Sequence, residues 1–288
     1  MSVTLSGSSR SAVIARLRSA GCVFAEEEAS LLADAASSPA ELADMVDRRA
    51  AGLPVEHVIG LAWFCGLRLA VVPGVFVPRP RTEFLVGEAL RLAGQGQAAR
   101  GWQPPVIVDL CCGSGAIGAA LAAAVEAGGS AGSGGTVELY AADIDPAAVG
   151  CARRNLARWG GHAYQGDLFD PLPAGLRGRV DLLVADAPYV PTGQIALLPP
   201  EARLHEARAA LDGGADGLDV IRRIAAAAAD WLAPGGHLLV ETSSGQAAEA
   251  AAELAGHGLV PSVSSSAEIG ATVVTGTRGS AGCDRHLP

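Results

Sequence analysis

Lysine is absent from this 288-residue chain, so its 21 basic residues are all arginine, set against 30 Asp and Glu for a formal charge of −9 and a pI near 5.1. An acidic surface repels duplex DNA unless a local basic patch overrides it. The arginines form only short clusters, at Arg48-Arg49, Arg79 with Arg81, Arg153-Arg154 and Arg222-Arg223. Aromatics make up 4% of the chain, which leaves few platforms for stacking on bases. A nucleic-acid substrate is therefore disfavoured.

The six cysteines, Cys22, Cys65, Cys111, Cys112, Cys151 and Cys283, contain no C-x-x-C pair and no histidine at zinc spacing. That pattern points to a reducing compartment and to no metal. Adjacent Cys111 and Cys112 read as small residues filling a tight turn. No apolar run approaches the roughly 20 residues that span a bilayer. Arg10, Arg16 and Arg18 interrupt any secretory h-region, so the expected location is the cytoplasm. The histidines show no pairing that suggests a triad.

What is present is a hydrophobic content of 50%, enough for a substantial core. Apolar residues at helical spacing between about Ser9 and Ala51, broken by Gly21 and Pro39, predict a small helical domain over residues 1–56. β-favouring residues around Gly60, Gly66 and Gly74 predict a hairpin linker over 57–77. From Pro78 to 278 strand and helix alternate, which predicts an α/β fold: a Rossmann-like, doubly wound, seven-stranded sheet covered on both faces. The strands are expected near 105–110, 137–142, 162–165, 180–185, 236–242, 258–265 and 271–277. A helix begins near Thr82, whose hydroxyl is expected to cap it. Ile221 to Ala233 read as a packing helix, Trp159 and Trp231 as core anchors, and residues 279–288 as a flexible tail.

Two stretches carry chemistry. After the strand Val106 to Leu110 comes Cys111-Cys112-Gly113-Ser114-Gly115, a glycine-rich turn opening into a helix, where backbone can approach a ligand closely. The next strand ends at Asp143, placed for a carboxylate to accept both hydroxyls of a ribose; Gly128 to Gly135 read as a loop insertion that lengthens the spacing. Gly113, Gly115 and Gly118 satisfy G-x-G-x-x-G, so the turn does not separate a dinucleotide from S-adenosylmethionine. The second stretch, Asp186-Ala187-Pro188-Tyr189, closes the apolar strand Val180 to Ala185. A side-chain acceptor, a backbone carbonyl, a proline and an aromatic face suit an NH2 group held against an electrophile.

With Val77-Pro78-Arg79-Pro80-Arg81-Thr82-Glu83, Asp143-Ile144-Asp145-Pro146, Gly166-Asp167-Leu168-Phe169, Leu211-Asp212-Gly213-Gly214-Ala215-Asp216-Gly217-Leu218-Asp219 and Leu232 to Gly236, the chain resembles the HemK/PrmC-type protein-(glutamine-N5) methyltransferases from about residue 45 to 278. The resemblance implies S-adenosylmethionine as donor, S-adenosylhomocysteine as product, and a protein substrate, a peptide chain release factor or other translation-related protein. It implies donor contacts from Cys111, Cys112, Gly113, Ser114, Gly115, Asp143, Ile144, Asp167, Leu168 and Asp186. It places Asp186, Ala187, Pro188 and Tyr189 at the reacting nitrogen, with Arg79, Pro188 and Tyr189 toward the substrate. The loop from Val190 to Asp216 is expected to close over the site and the helical domain to hold the protein substrate.

One departure stands out, since the family pattern is Asn-Pro-Pro-Tyr and this chain has Asp186 and Ala187. Asp at that place also occurs in adenine-N6 methyltransferases. The alternatives are thus an amino-methyltransferase acting on a nucleobase or another amine, and a non-catalytic donor-binding module.

Overall fold

The computed structural model describes residues 7–100, 104–128 and 135–280. Cys283, the core of the expected 128–135 insertion and most of the expected tail lie outside these residues. Helices α1 (Gly7–Ser19), α2 (Ala25–Ala35), α3 (Pro39–Ala50) and α4 (Val55–Ile59) come first. They bury Leu17, Ala29, Leu32, Leu42, Val46 and Val58 in a core of their own. Helix α3 starts where the sequence signals it: the Ser38 hydroxyl accepts from the Glu41 amide at 3.2 Å and Pro39 takes the first helical position.

Strands β1 (Leu61–Phe64) and β2 (Leu67–Ala70) form an antiparallel hairpin. Its two turn residues, Cys65 and Gly66, both have positive φ, as a tight hairpin turn requires. After a 3-10 turn at Pro80–Thr82, the alternating region runs α5 (Glu83–Arg100), β3 (Val106–Leu110), α6 (Ala116–Gly128), β4 (Glu138–Asp143), α7 (Pro146–Leu156), β5 (His162–Gln165) and β6 (Val180–Ala185). It continues through α8 (Pro200–His205), α9 (Asp219–Trp231), β7 (Leu232–Glu241), α10 (Ala247–Gly256), β8 (Leu259–Ser266) and β9 (Ala271–Arg278).

The sheet order is β5-β4-β3-β6-β7-β9-β8. The first five strands of that order are parallel, and β9 is antiparallel to both β7 and β8. Central strands β3 and β6 are apolar almost throughout because helices cover both faces, burying one core around Val108, Leu183 and Ile221 and another around Ile107, Leu121 and Leu182. Chain order reverses between β3 and β6, so a crevice opens at their carboxyl ends. All seven strands fall where the sequence places them. The exception is the start of β7: strand pairing resumes at Leu232 and crosses the Pro234-Gly235-Gly236 turn with a shifted register, so α9 stops at Trp231 rather than Ala233.

Two side chains tie outlying parts to this frame. Asn155 on α7 pairs with both backbone groups of Ala70 at 2.8 and 2.9 Å and donates to the Ser114 carbonyl at 2.8 Å, stapling the hairpin to the glycine turn. Arg49 of α3, nearly buried, donates to Glu28 at 2.6 and 3.0 Å and to the Leu53 carbonyl at 3.1 Å, and pairs with Glu201 of α8 at 2.7 Å. No described helix is long and apolar enough to cross a membrane.

Removing Arg49 strands the buried Glu28 charge, and breaking a buried pair costs about 3–5 kcal/mol. Arg49→Ala is expected to lose stability on that scale, read from the midpoint and slope of a urea melt, and to detach α8 from the amino-terminal helices. An unchanged midpoint would contradict this account of the joint.

Candidate active site

A cavity of about 280 Å³ lies in the crevice beyond β3, β4 and β6. Its floor is the turn after β3, where Cys111 and Gly113 take positive φ of 52° and 53°. The Cys112 amide bonds to the Ala142 carbonyl at 3.2 Å, holding the turn against the end of β4. A β-carbon at Gly113 would meet no atom within 4 Å, so the chain presents bare backbone to open space there. Cys111 and Cys112 are free thiols that burial pushes far above their ordinary range, so they act as small apolar filling.

Asp143 lines the cavity at the end of β4. One carboxylate oxygen accepts from the Gly113 amide at 2.8 Å and the other from Asp145 at 2.9 Å. Each oxygen keeps a second lone pair for a ligand hydroxyl. Burial raises this carboxyl above its usual range against the pull of those amides. The Asp145 side chain caps α7 by accepting from Ala147 at 2.8 Å, with Pro146 at the first helical position. The two aspartates of Asp-Ile-Asp-Pro therefore have different work. Between them Ile144, 59% exposed, offers an apolar face at the rim. Asp167 and Leu168 line the opposite rim; Leu168 is held at φ 48°, and Asp167 accepts from Arg223 at 2.6 Å.

Ser114, expected among the donor contacts, is joined in the cavity by a hydroxyl that the sequence marks only as a helix cap, that of Thr82. Thr82 and Ser114 line the cavity, each is 2% exposed, and neither hydroxyl makes a hydrogen bond. Thr82 therefore does not cap α5, as the sequence predicts. It ends the 3-10 turn fixed by Pro80, which aims it inward. Bare backbone, a rim carboxylate, an apolar rim and orphaned buried hydroxyls fit a nucleoside carrying a charged amino-acid tail.

Asp186, Ala187, Pro188 and Tyr189 follow β6 directly, and Asp186 and Pro188 line the cavity. Among the described residues nothing donates a hydrogen bond to the Asp186 carboxylate or the Ala187 carbonyl. Burial, then the negative charge of Glu241, pushes the Asp186 carboxyl up to about 8 against the pull of Arg81. The Leu211 to Asp219 motif backs this turn: Val190 N bonds to Leu211 O at 3.0 Å and Gly213 N to Val190 O at 2.9 Å. A β-carbon on Gly213 would come within 2.6 Å of the Pro188 carbonyl, and one on Gly217, at φ 84°, would collide with the Tyr189 carbonyl.

Arg79 sits away from the cavity wall. Its guanidinium pairs with Glu206 at 2.7 Å and lies over the Phe76 ring, fastening the Pro78-Arg79-Pro80 turn to the 190–216 loop. That loop supplies Ala207, Ala209, Ala210 and Asp212 to the wall. The arginine that reaches the clamp is Arg81, bonded to Tyr189 and Glu241. Glu241 ends an apolar strand outside the cavity wall, and no pattern in the sequence marks its pairing with Arg81 and Tyr189.

No family model matches the chain. A release factor glutamine methyltransferase of Geobacter sulfurreducens is 40% identical over 215 residues, covering 73% of this chain and 69% of that protein. A 4-amino-L-phenylalanine/4-methylamino-L-phenylalanine methyltransferase of Streptomyces pristinaespiralis is 38% identical over 70% of this chain and 65% of its own length. Among solved structures, the hMettl16 catalytic domain matches with a TM-score of 0.53 at 13% identity, covering 85% of this chain and 84% of that one, a likeness of fold alone. Sheet order, switch-point cavity and glycine turn together give the fold of a class I methyltransferase, and the named relatives make it an S-adenosylmethionine-dependent one. Within that class the chain belongs to the release factor glutamine methyltransferase family.

Asp143→Ala removes both the rim carboxylate and the anchor of the Gly113 amide. The loss of charged hydrogen bonds, about 1.5–3 kcal/mol, is expected to weaken donor binding roughly ten- to a hundredfold in calorimetry. Unchanged binding would remove Asp143 from the site. Gly217→Ala should leave donor affinity intact and abolish most turnover, because the added β-carbon displaces the Tyr189 carbonyl; full turnover would refute the backing role of this loop.

Proposed function

We propose that the chain transfers the methyl group of S-adenosylmethionine to the side-chain amide nitrogen of a glutamine in a peptide chain release factor, leaving S-adenosylhomocysteine. The observation that carries this reading is the Asp186 carboxylate, which lines the cavity at the switch point, followed directly by the Ala187 carbonyl and by Pro188 on the same wall. Bound S-adenosylmethionine supplies an electrophilic methyl group on a cationic sulfur. The backbone turn Cys111 to Gly115, Asp143, Ile144, Asp167, Leu168 and the hydroxyls of Ser114 and Thr82 hold the donor.

An amide nitrogen is a poor nucleophile because its lone pair is delocalised. Asp186 and the Ala187 carbonyl each accept one N–H, which favours a pyramidal nitrogen with its lone pair free for in-line attack. Pro188 fixes the turn, and the Tyr189 ring covers the amide plane and excludes water. Tyr189 is not the base: burial and Glu241 hold its phenol protonated, and its hydroxyl is committed to Glu241 at 3.1 Å. Proton loss follows attack, so no strong base is needed. The helices of residues 1–56 dock the protein substrate, and Arg49 joins them to the loop that walls the site.

The test is labelled methyl donor with purified release factor, bulk tRNA, DNA and cell extract. Label in the release factor band, lost when its acceptor glutamine is replaced, supports the reading; label in nucleic acid alone overturns it. A chain beginning near Pro73 is expected to keep donor binding and lose turnover on the protein.

A second reading, an amine acceptor, is favoured by the carboxylate at 186 and by the relative named for 4-amino-L-phenylalanine. Substitution separates the two. If the acceptor is a glutamine, Asp186→Asn keeps substantial activity, while Asp186→Ala slows turnover by about 2–4 kcal/mol of transition-state stabilisation. If a charged amine is the acceptor, both variants fail alike. The Asp186 carboxyl ionises only as pH rises toward about 8, so kcat/KM is expected to climb with pH there and Asp186→Asn to lose that limb.

A further inference from the structure

The Tyr189 hydroxyl closes a three-membered ring of hydrogen bonds assembled from three distant parts of the chain. Arg81 Nη2, from the turn before α5, donates to it at 2.7 Å. The hydroxyl donates to Glu241 Oε1, at the end of β7, at 3.1 Å. Arg81 Nε donates to the same Oε1 at 2.9 Å. The guanidinium carbon also lies 6.0 Å from the centre of the Tyr189 ring.

Packing alone does not account for this arrangement. Glu241 is 1% exposed and its second oxygen makes no hydrogen bond, a state that costs stability in a strand end an apolar residue could fill. The Tyr189 backbone is already fixed without it, since Gln246 donates to the Tyr189 carbonyl at 2.9 Å and Gly217 lies against the same group. What backbone anchoring leaves free is the two side-chain torsions that set the plane of the ring. A hydroxyl gripped by a donor and an acceptor removes that freedom.

We propose that Arg81 and Glu241 are positioning residues for methyl transfer: they set the plane of the Tyr189 ring through its hydroxyl, so that the ring face, not the phenol oxygen, meets the acceptor nitrogen. The inference rests on the reading of Tyr189 as part of the acceptor site. It assigns specific work to the second arginine of Pro78-Arg79-Pro80-Arg81, which fold and family membership leave without a role.

The chain contains three tyrosines, Tyr140, Tyr164 and Tyr189, so incorporation of 3-fluorotyrosine gives three fluorine signals, and Tyr189→Phe assigns one of them. Arg81→Met and Glu241→Ala are expected to shift the Tyr189 signal and leave the other two in place. In turnover they should lower kcat roughly ten- to a hundredfold, the scale of a small misplacement of a reacting group, with donor affinity unchanged. Glu241→Gln keeps an acceptor oxygen and should recover most of the rate. Measured well above pH 8, where the Asp186 carboxyl is ionised in every variant and the charge of Glu241 no longer sets its protonation, Glu241→Ala added to Tyr189→Phe should cost nothing more. A Tyr189 signal that stays in place in Arg81→Met overturns the proposal, as does a full multiplicative loss in the double variant. Should the wild-type protein methylate no release factor, the proposed function fails while the fluorine signals still decide whether Arg81 and Glu241 hold the ring.

Discussion

The clamp can lie where it does because the chain behind it has no β-carbon at 213 and 217. Gly213 and Gly217 bring backbone against the carbonyls of Pro188 and Tyr189, and the bonds between Val190, Leu211 and Gly213 lock the two segments together. The turn that carries Asp186 and Pro188 to the cavity is thereby placed from behind. This accounts for the tolerance of Ala187 where the family has proline: the side chain is 1% exposed, and rigidity that a ring would give is supplied by the backing loop.

The stretch Pro78 to Glu83 distributes four polar side chains to four parts of the molecule. Arg79 takes Glu206 of the covering loop, Arg81 takes Tyr189 and Glu241, Thr82 points into the cavity, and the Glu83 carboxylate accepts from the Cys65 amide in the hairpin turn at 2.8 Å. A short run with two prolines is stiff enough to do this, because φ is preset at Pro78 and Pro80. The hairpin, the clamp and the covering loop thus share one hub. Displacing it disturbs all three.

Electrostatically the site is acidic. Asp109, Asp143, Asp186 and Glu241 converge near the ends of β3, β4, β6 and β7, and burial pushes the carboxyl of Asp109 up to about 7 and that of Asp186 up to about 8. Arg81 compensates one of these charges. A cationic donor brings positive charge of the sign that the remaining carboxylates favour.

The seven strands and the glycine turn can be read from the chain because their signals are local: apolar runs of strand length, glycine where backbone must turn, Asp-Pro where a helix starts. The position of Asp186 to Tyr189 at a strand end was legible for the same reason, as four contiguous residues after an apolar run. Long-range packing is what shows that Asp143 also anchors the Gly113 amide, that Thr82 faces the cavity instead of capping α5, that Arg79 serves Glu206 while Arg81 serves Tyr189, and that Glu241 meets both Arg81 and Tyr189. The contacts of Asp143, Arg79 and Arg81 depend on pairing across 30 to 160 positions of chain, whereas Thr82, which makes no hydrogen bond, is aimed by the turn at Pro80. Periodicity carries no information about such partners; the order β4-β3-β6-β7 in one sheet is what sets Asp143 beside the Gly113 turn and Glu241 beside the turn after β6.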